Sequence, residues 1–242
     1  MKKIAILLLC FCFLQIAGEA SARKKLHVAA LAYSKEDAGL DGLLYSAKEY
    51  KLDVSLVGLG TKNATSAAAA FLDYLDKLDN DSVVLFLGNA RSLILAGKKR
   101  ILRKFYKIGK PVLFPTSKKR PNITPFPYSL YPISPTNFRY LSPDAMIGKV
   151  KDIKVIFYRM LEKGCFKTQN AINFDFIVNQ NQYTLDYYNK MFLSLSGINN
   201  DDIRVTNIDN RVHVFSTCGN PVVIVNNQYN TVLFNKICKT LF

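Results

Sequence analysis

An α/β fold, a single Rossmann-like domain with a mainly parallel central sheet flanked by helices, is what three features of the sequence predict. Apolar runs of strand length alternate with amphipathic runs of helix length from Leu26 to Phe114, and such alternation closes through right-handed crossovers into a parallel sheet. Val83–Leu87 is five consecutive apolar residues between the polar Asp79–Ser82 and Gly88, as suits a central strand covered on both faces. Residues 23–242 carry no internal repeat and no linker, and their length suits one domain with a substantial core rather than two.

In chain order, Leu26–Ala32 reads as a first buried strand and Gly39–Tyr50 as an amphipathic helix with Leu40, Leu43, Leu44 and Ala47 on one face. Leu52–Leu59 reads as a second strand, Ala64–Leu78 as a second helix and Val83–Leu87 as the third strand. Ligands of parallel sheets gather beyond the carboxyl ends of the strands, so the turn Asn89–Ser92 is the expected functional site. Lys98–Ile108 follows as a basic helix and Pro111–Phe114 as a fourth strand. From Pro115 to Pro143 closely spaced prolines bracket Tyr128, Tyr131 and Tyr140 with little periodicity, which predicts a loop over the sheet. Val150–Leu161 is expected to be a helix, Ala171–Val178 a strand, Leu185–Leu195 a helix, and Ile203–Thr206, Arg211–Phe215 and Pro221–Val225 short strands. The aromatic residues of the second half, among them Tyr183, Tyr187, Tyr188, Phe192 and Phe215, are assigned to packing.

The first 22 residues form a unit of their own. Lys2 and Lys3 precede a largely apolar run from Ile4 to Ile16 and then Ala20-Ser21-Ala22, the pattern of a secretory signal peptide cleaved before Arg23. The run is shorter than the roughly 20 residues that span a bilayer. The expected location is therefore the secretory pathway, either the endoplasmic reticulum lumen or outside the cell. Three Asn-x-Ser/Thr sequons, at Asn63, Asn80 and Asn122, suit a glycoprotein of that pathway.

The whole chain has 33 Lys+Arg against 18 Asp+Glu. Setting aside Lys2, Lys3 and Glu19 leaves 31 against 17, a net charge of +14 for residues 23–242. Much of the surplus lies in Lys98–Arg120, where Arg100, Arg103, Lys104 and Lys107 are candidates for binding a polyanion such as an acidic glycan. No motif for nucleic acid accompanies it. Cys165, Cys218 and Cys238 remain after the signal region, and three disulfide pairings stay open. No Cys/His metal spacing occurs, and the two histidines, His27 and His213, both read as structural residues in strands.

The segments Leu44–Tyr50 and Val57-Gly58-Leu59-Gly60, then Leu93–Gly97, Arg139-Tyr140-Leu141-Ser142 with Ile147-Gly148, Ile208-Asp209 with Phe215, and Pro221–Ile224 fall in an order that resembles the glycosyltransferase domain of multifunctional procollagen lysyl hydroxylases. The resemblance covers nearly all of residues 23–242 and implies a GT-A fold, a UDP-sugar donor, a Mn²⁺ cofactor and a collagen-like or otherwise glycosylated protein as partner.

The departures concentrate in the site. Two family aspartates coincide with Asn89 and Ser92, a tryptophan segment is replaced by Pro115–Lys119, an acidic cluster by Asn179–Tyr183, and in the final His-Gly-Asn-Gly only Asn227 coincides. Neutral amide and hydroxyl groups are poor substitutes for carboxylates around a hard cation. Asn89, Ser92 and Asn227 are thus expected to be the remnant of a nucleotide-sugar site, with no catalytic residue, metal or cofactor retained and a binding or accessory role. Two alternatives stand beside it. One is an active transferase acting on hydroxylysine-bearing acceptors and steadying the diphosphate with Arg91 or Lys118. The other is a secreted polyanion-binding protein on the same scaffold.

Overall fold

A computed structural model describes residues 25–121, 128–162, 170–208, 211–226 and 230–242. Its centre is a six-stranded sheet in the order β2-β1-β3-β8-β5-β9, built from β1 (Leu26–Leu31), β2 (Val54–Val57), β3 (Val83–Leu87), β5 (Val112–Phe114), β8 (Ala145–Lys149) and β9 (Tyr183–Leu185). All neighbours are parallel except β8, which runs antiparallel between β3 and β5. The mainly parallel sheet is as expected. The reversed strand is new, since the sequence reading had no strand at Ala145–Lys149. Gly148 permits it: a Cβ there would lie 2.9 Å from the Pro111 carbonyl oxygen, nearer than van der Waals contact allows.

Period-two alternation assigns each strand residue to a face. Val84, Phe86, Val112, Phe114 and Met146 pack on one face against Phe71, Leu72 and Leu75 of α2 (Ala64–Asp76) and Ile153, Phe157 and Met160 of α4 (Val150–Glu162). Val83, Leu85, Leu87, Leu113 and Ile147 pack on the other, against α1 (Leu40–Glu49) and α3 (Lys98–Ile108). That second face also meets a three-stranded sheet of order β10-β13-β4, from β10 (Phe192–Ser194), β13 (Val223–Val225) and β4 (Ser92–Ile94). Beyond it, Leu193 and Ile224 contact α6 (Thr231–Leu241) and the hairpin of β11 (Ile203–Thr206) and β12 (Arg211–Val214). Within the predicted loop, β6 (Thr116–Ser117) pairs with β7 (Tyr140–Leu141).

Caps and turns agree with local sequence at several ends. Asn63 and Ser66 form a reciprocal capping box at the start of α2. Gly109 ends α3 in the left-handed conformation, φ 69°. One face is misread: Leu44 of α1 is exposed rather than on the packed side.

Two elements are the reverse of expectation. Asn170–Val178 is a helix, α5, where a strand was expected. Its Ile-x-Phe-x-Phe alternation suggests a strand, yet Phe174 is exposed while Asn173 and Asp175 are buried. The Arg159 guanidinium holds Asp175 with two bonds of 2.6 Å, and a buried charge pair of this kind inverts the apolar pattern of the helix. Leu185–Leu195, expected as a helix, is instead the end of β9, a turn and β10. Asp186 organises the turn by accepting the N–H groups of Lys190, Met191 and Phe192 at 2.6–2.9 Å, and Asn189 takes a positive φ of 49°. Captured amides cannot continue a helical ladder.

Candidate functional site

β3 ends at Leu87, and Gly88 donates its N–H to the Asp144 carbonyl at 2.7 Å. A Cβ on Gly88 would approach that oxygen to 3.1 Å, so glycine lets the entry to β8 close over the end of β3. Beside this contact lies a cavity of ≈ 450 Å³, within the size range of ligand sites. Leu31, Phe71, Phe86, Phe157 and Met160 form an apolar wall on the α2/α4 side, and Asp37, Asn89, Arg91, Asp144 and Asn226 supply polar groups. The cavity therefore lies at the carboxyl ends of β1 and β3, and of the turn Asn89–Ser92 it is lined by Asn89, Ala90 and Arg91.

The polar groups differ in what they have left to offer. Asp37 accepts the Tyr33 N–H at 2.7 Å. Asp144, buried, accepts the Ser142 hydroxyl at 2.5 Å, and Ser142 in turn lies 3.3 Å from the Ser194 hydroxyl. The Asn226 N–H reaches the Arg91 carbonyl at 2.9 Å, and its Oδ1 accepts from the Asn230 N–H at 3.3 Å. Asn226 Nδ2 and Asn89 Oδ1 are buried and make no hydrogen bond. Such atoms cost free energy in a folded chain unless a ligand completes them.

Ser92 is separated from this group. It belongs to β4, is fully buried, pairs with Val225 and donates its hydroxyl to the Asn89 carbonyl at 3.2 Å. The remnant pair Asn89 and Ser92 thus does not converge on one point, and Asn227 lies outside the described residues. Among the described residues no three His, Cys, Asp or Glu side chains form a group able to hold a metal ion. Two carboxylates, Asp37 and Asp144, each already accepting a hydrogen bond within the chain, and the neutral amides of Asn89 and Asn226 do not fit Mn²⁺, which binds through several hard, mostly anionic oxygens. Of the two cations considered for a diphosphate, Arg91 lines the cavity, whereas Lys118 is bound to Asp202 at 2.6 Å and lies over the Phe138 ring. Asp144 and Asn226 were missed by sequence reasoning. Asp144 reaches the cavity only through the reversed β8, and Asn226 stands beside Asn227 in the segment compared with the family's His-Gly-Asn-Gly, at a position that does not coincide.

The basic segment is a helix as expected, with Ile101 and Phe105 buried beneath it. Arg103 and Lys107 are exposed and Arg100 half-exposed. Lys104 departs from the expected solvated face: its Nζ donates to the carbonyls of Lys190 and Asn220 at 2.6 and 2.9 Å. Burial, then Arg100, lowers its pKa, with Arg103 and Lys190 acting the same way and Asp186 against them.

His27 and His213 lie in β1 and β12, away from the cavity lining. Cys218 is an exposed and Cys238 a half-buried free thiol, and Cys165 lies outside the described residues. Asn63 and Asn80 are exposed, while Asn122 is not among the described residues. No helix among the described residues is long and apolar enough to cross a membrane.

A family model described as the PLOD GT domain matches residues 22–241. The chain belongs to the PLOD GT domain family. That membership accounts for the ordered short matches along the sequence. Among curated proteins no match is found. Similar solved structures include a glycosyltransferase involved in glycosylation of the major capsid of PBCV-1, with TM-score 0.51 and 6% identity over 89% of this chain and 97% of that one. Another is 4-diphosphocytidyl-2C-methyl-D-erythritol synthase from Anaerococcus prevotii, with TM-score 0.43 and 16% identity over 67% and 88%. The capsid glycosyltransferase shares the fold of this PLOD GT domain, and at so low an identity the likeness speaks for the fold alone.

Proposed function

We propose that this PLOD GT domain is a secretory-pathway binding or accessory protein that has lost metal-dependent sugar transfer. The observation that carries the reading is Ser92: the second position of the family's aspartate pair is a fully buried hydroxyl, committed to the Asn89 carbonyl inside the β4–β13 ladder. No rotamer change restores a carboxylate there. The cavity that remains, with its apolar wall and two uncompleted amide atoms, suits binding without turnover.

A calorimetric titration tests this. With Mn²⁺ alone, affinity is expected on the order of millimolar or weaker, and UDP-galactose or UDP-glucose should show no Mn²⁺-dependent hydrolysis. Micromolar Mn²⁺ affinity or metal-dependent turnover would refute it. Arg91 on the cavity wall favours one second reading, a metal-free transferase in which that guanidinium steadies the leaving diphosphate. Sugar transfer to a hydroxylysine-bearing peptide in the presence of a chelator, lost in Arg91→Ala, would establish it.

A further inference from the structure

We infer that the outer face of α3, joined by Lys190 from the β9–β10 turn, is a binding surface for a soluble linear polyanion of the sulfated-glycan kind. It is independent of the crevice and of what the crevice binds.

Lys99, Arg103 and Lys107 recur at every fourth position, so they form one line along the helix. The line runs about 12 Å at 1.5 Å rise per residue. All three are exposed, and half-exposed Arg100 flanks them. Among the described residues none of the four takes part in an ion pair, and α3 contains no acidic residue. Two acids act on residues of α3: Asp186 on Lys104 and Asp81 on Tyr106. Asp186 is buried beneath the turn with its two oxygens committed to three backbone N–H groups, and Asp81 is paired with Lys149 and Lys151, so neither neutralises the outer line.

Lys104 supplies the second, independent observation. Instead of extending into solvent, it reaches back to the Lys190 and Asn220 carbonyls and pins the turn against the helix. The pin sets the exposed Lys190 beside the line; Arg100, Arg103 and Lys190 all act electrostatically on the Lys104 ammonium. Mutual repulsion of cations costs stability, and here the fold holds another cation into the group rather than an anion.

The partner is a soluble chain rather than a lipid surface. An interfacial helix presents apolar side chains alongside its cations to enter the acyl boundary. The apolar residues of α3 face inward, with Ile101 and Phe105 buried and Leu102, Tyr106 and Ile108 packed against the core. Along α3 the outer line has no apolar side chain to insert, and the exposed ring that adjoins Lys190, Tyr188, has the Lys190 ammonium over it at 5.2 Å.

Retention on immobilised heparin compares two fourfold variants of equal charge change. The first is Arg100→Ala with Arg103→Ala, Lys107→Ala and Lys190→Ala. The second is Lys48→Ala with Lys77→Ala, Lys236→Ala and Lys239→Ala, all exposed sites elsewhere. The first is expected to lose affinity on the order of tenfold or more near physiological salt and to show a shallower dependence on salt, as fewer counterions are displaced. The second should stay within about twofold. Lysine acetylation of the unaltered protein gives a reading that needs no variant to fold: heparin should protect Lys99, Lys107 and Lys190 and leave Lys236 reactive. Equal losses in the two variants, unprotected Lys107, or tighter binding to phosphatidylserine vesicles than to heparin would each overturn the inference.

Discussion

Asp186 and Asn89 both stand just past the carboxyl end of a strand at the same end of the central sheet, following β9 and β3. Their hydrogen bonding is opposite. The Asp186 carboxylate receives three backbone N–H groups, while its own carbonyl takes the Thr116 hydroxyl at 2.8 Å. Asn89 Oδ1, also buried, accepts nothing, and Asn226 Nδ2, from another residue of the cavity lining, donates to nothing. A polar centre that is saturated defines a turn and has no capacity left, whereas one left open keeps capacity for something outside the chain.

The sharpest way to break that contrast is Asp186→Ala. Removing the acceptor leaves three buried N–H groups without partners, and unfolding free energy should fall on the order of 3–5 kcal/mol in a denaturant titration. A loss under about 1 kcal/mol would mean the turn forms without the carboxylate. Asn89→Ala, by contrast, deletes an acceptor that has no donor, so stability should change by no more than about 0.5 kcal/mol in either direction. Destabilisation above about 2 kcal/mol would reveal a partner and erase the difference between the two ends.

The smallest effect concerns His27 at the start of β1. Burial first, then Lys25 and Lys98, lower its pKa from the usual 6.5. The unfolded chain therefore takes up this proton at a pH where the folded chain does not, and stability declines as pH falls through 6.5. His27→Gln should flatten the profile as pH falls through 6.5. An unchanged slope would remove the histidine from the account.

How far the sequence could be read follows the range of the interactions involved. From β1 to α3 the elements other than β4 depend on local periodicity, caps and turns, and Val83–Leu87 and Lys98–Ile108 were legible to the residue, whereas no strand was expected at Ser92–Ile94. α5 and the β9–β10 turn were not, because Arg159 and Asp186 reorganise them through contacts that a pattern of apolar residues does not encode. In the site, Asn89 was legible from the end of β3. Asp144 required knowledge that β8 returns antiparallel, and Lys104 was misassigned because a lysine on a basic helix reads as solvated until its carbonyl partners are known.

The reversed β8 has a consequence for the order in which the protein can be made. β1 has both its partners, β2 and β3, once β3 has been synthesised, yet β5 has no neighbour except β8 and β9. A growing chain that has passed Phe114 but not reached Ala145 therefore carries β5 with both edges open and β3 with one. Open edges invite pairing with other chains. The middle of synthesis is where this chain carries the most open strand edges, and completion of β8 closes β3 and one side of β5, leaving the other side of β5 to β9.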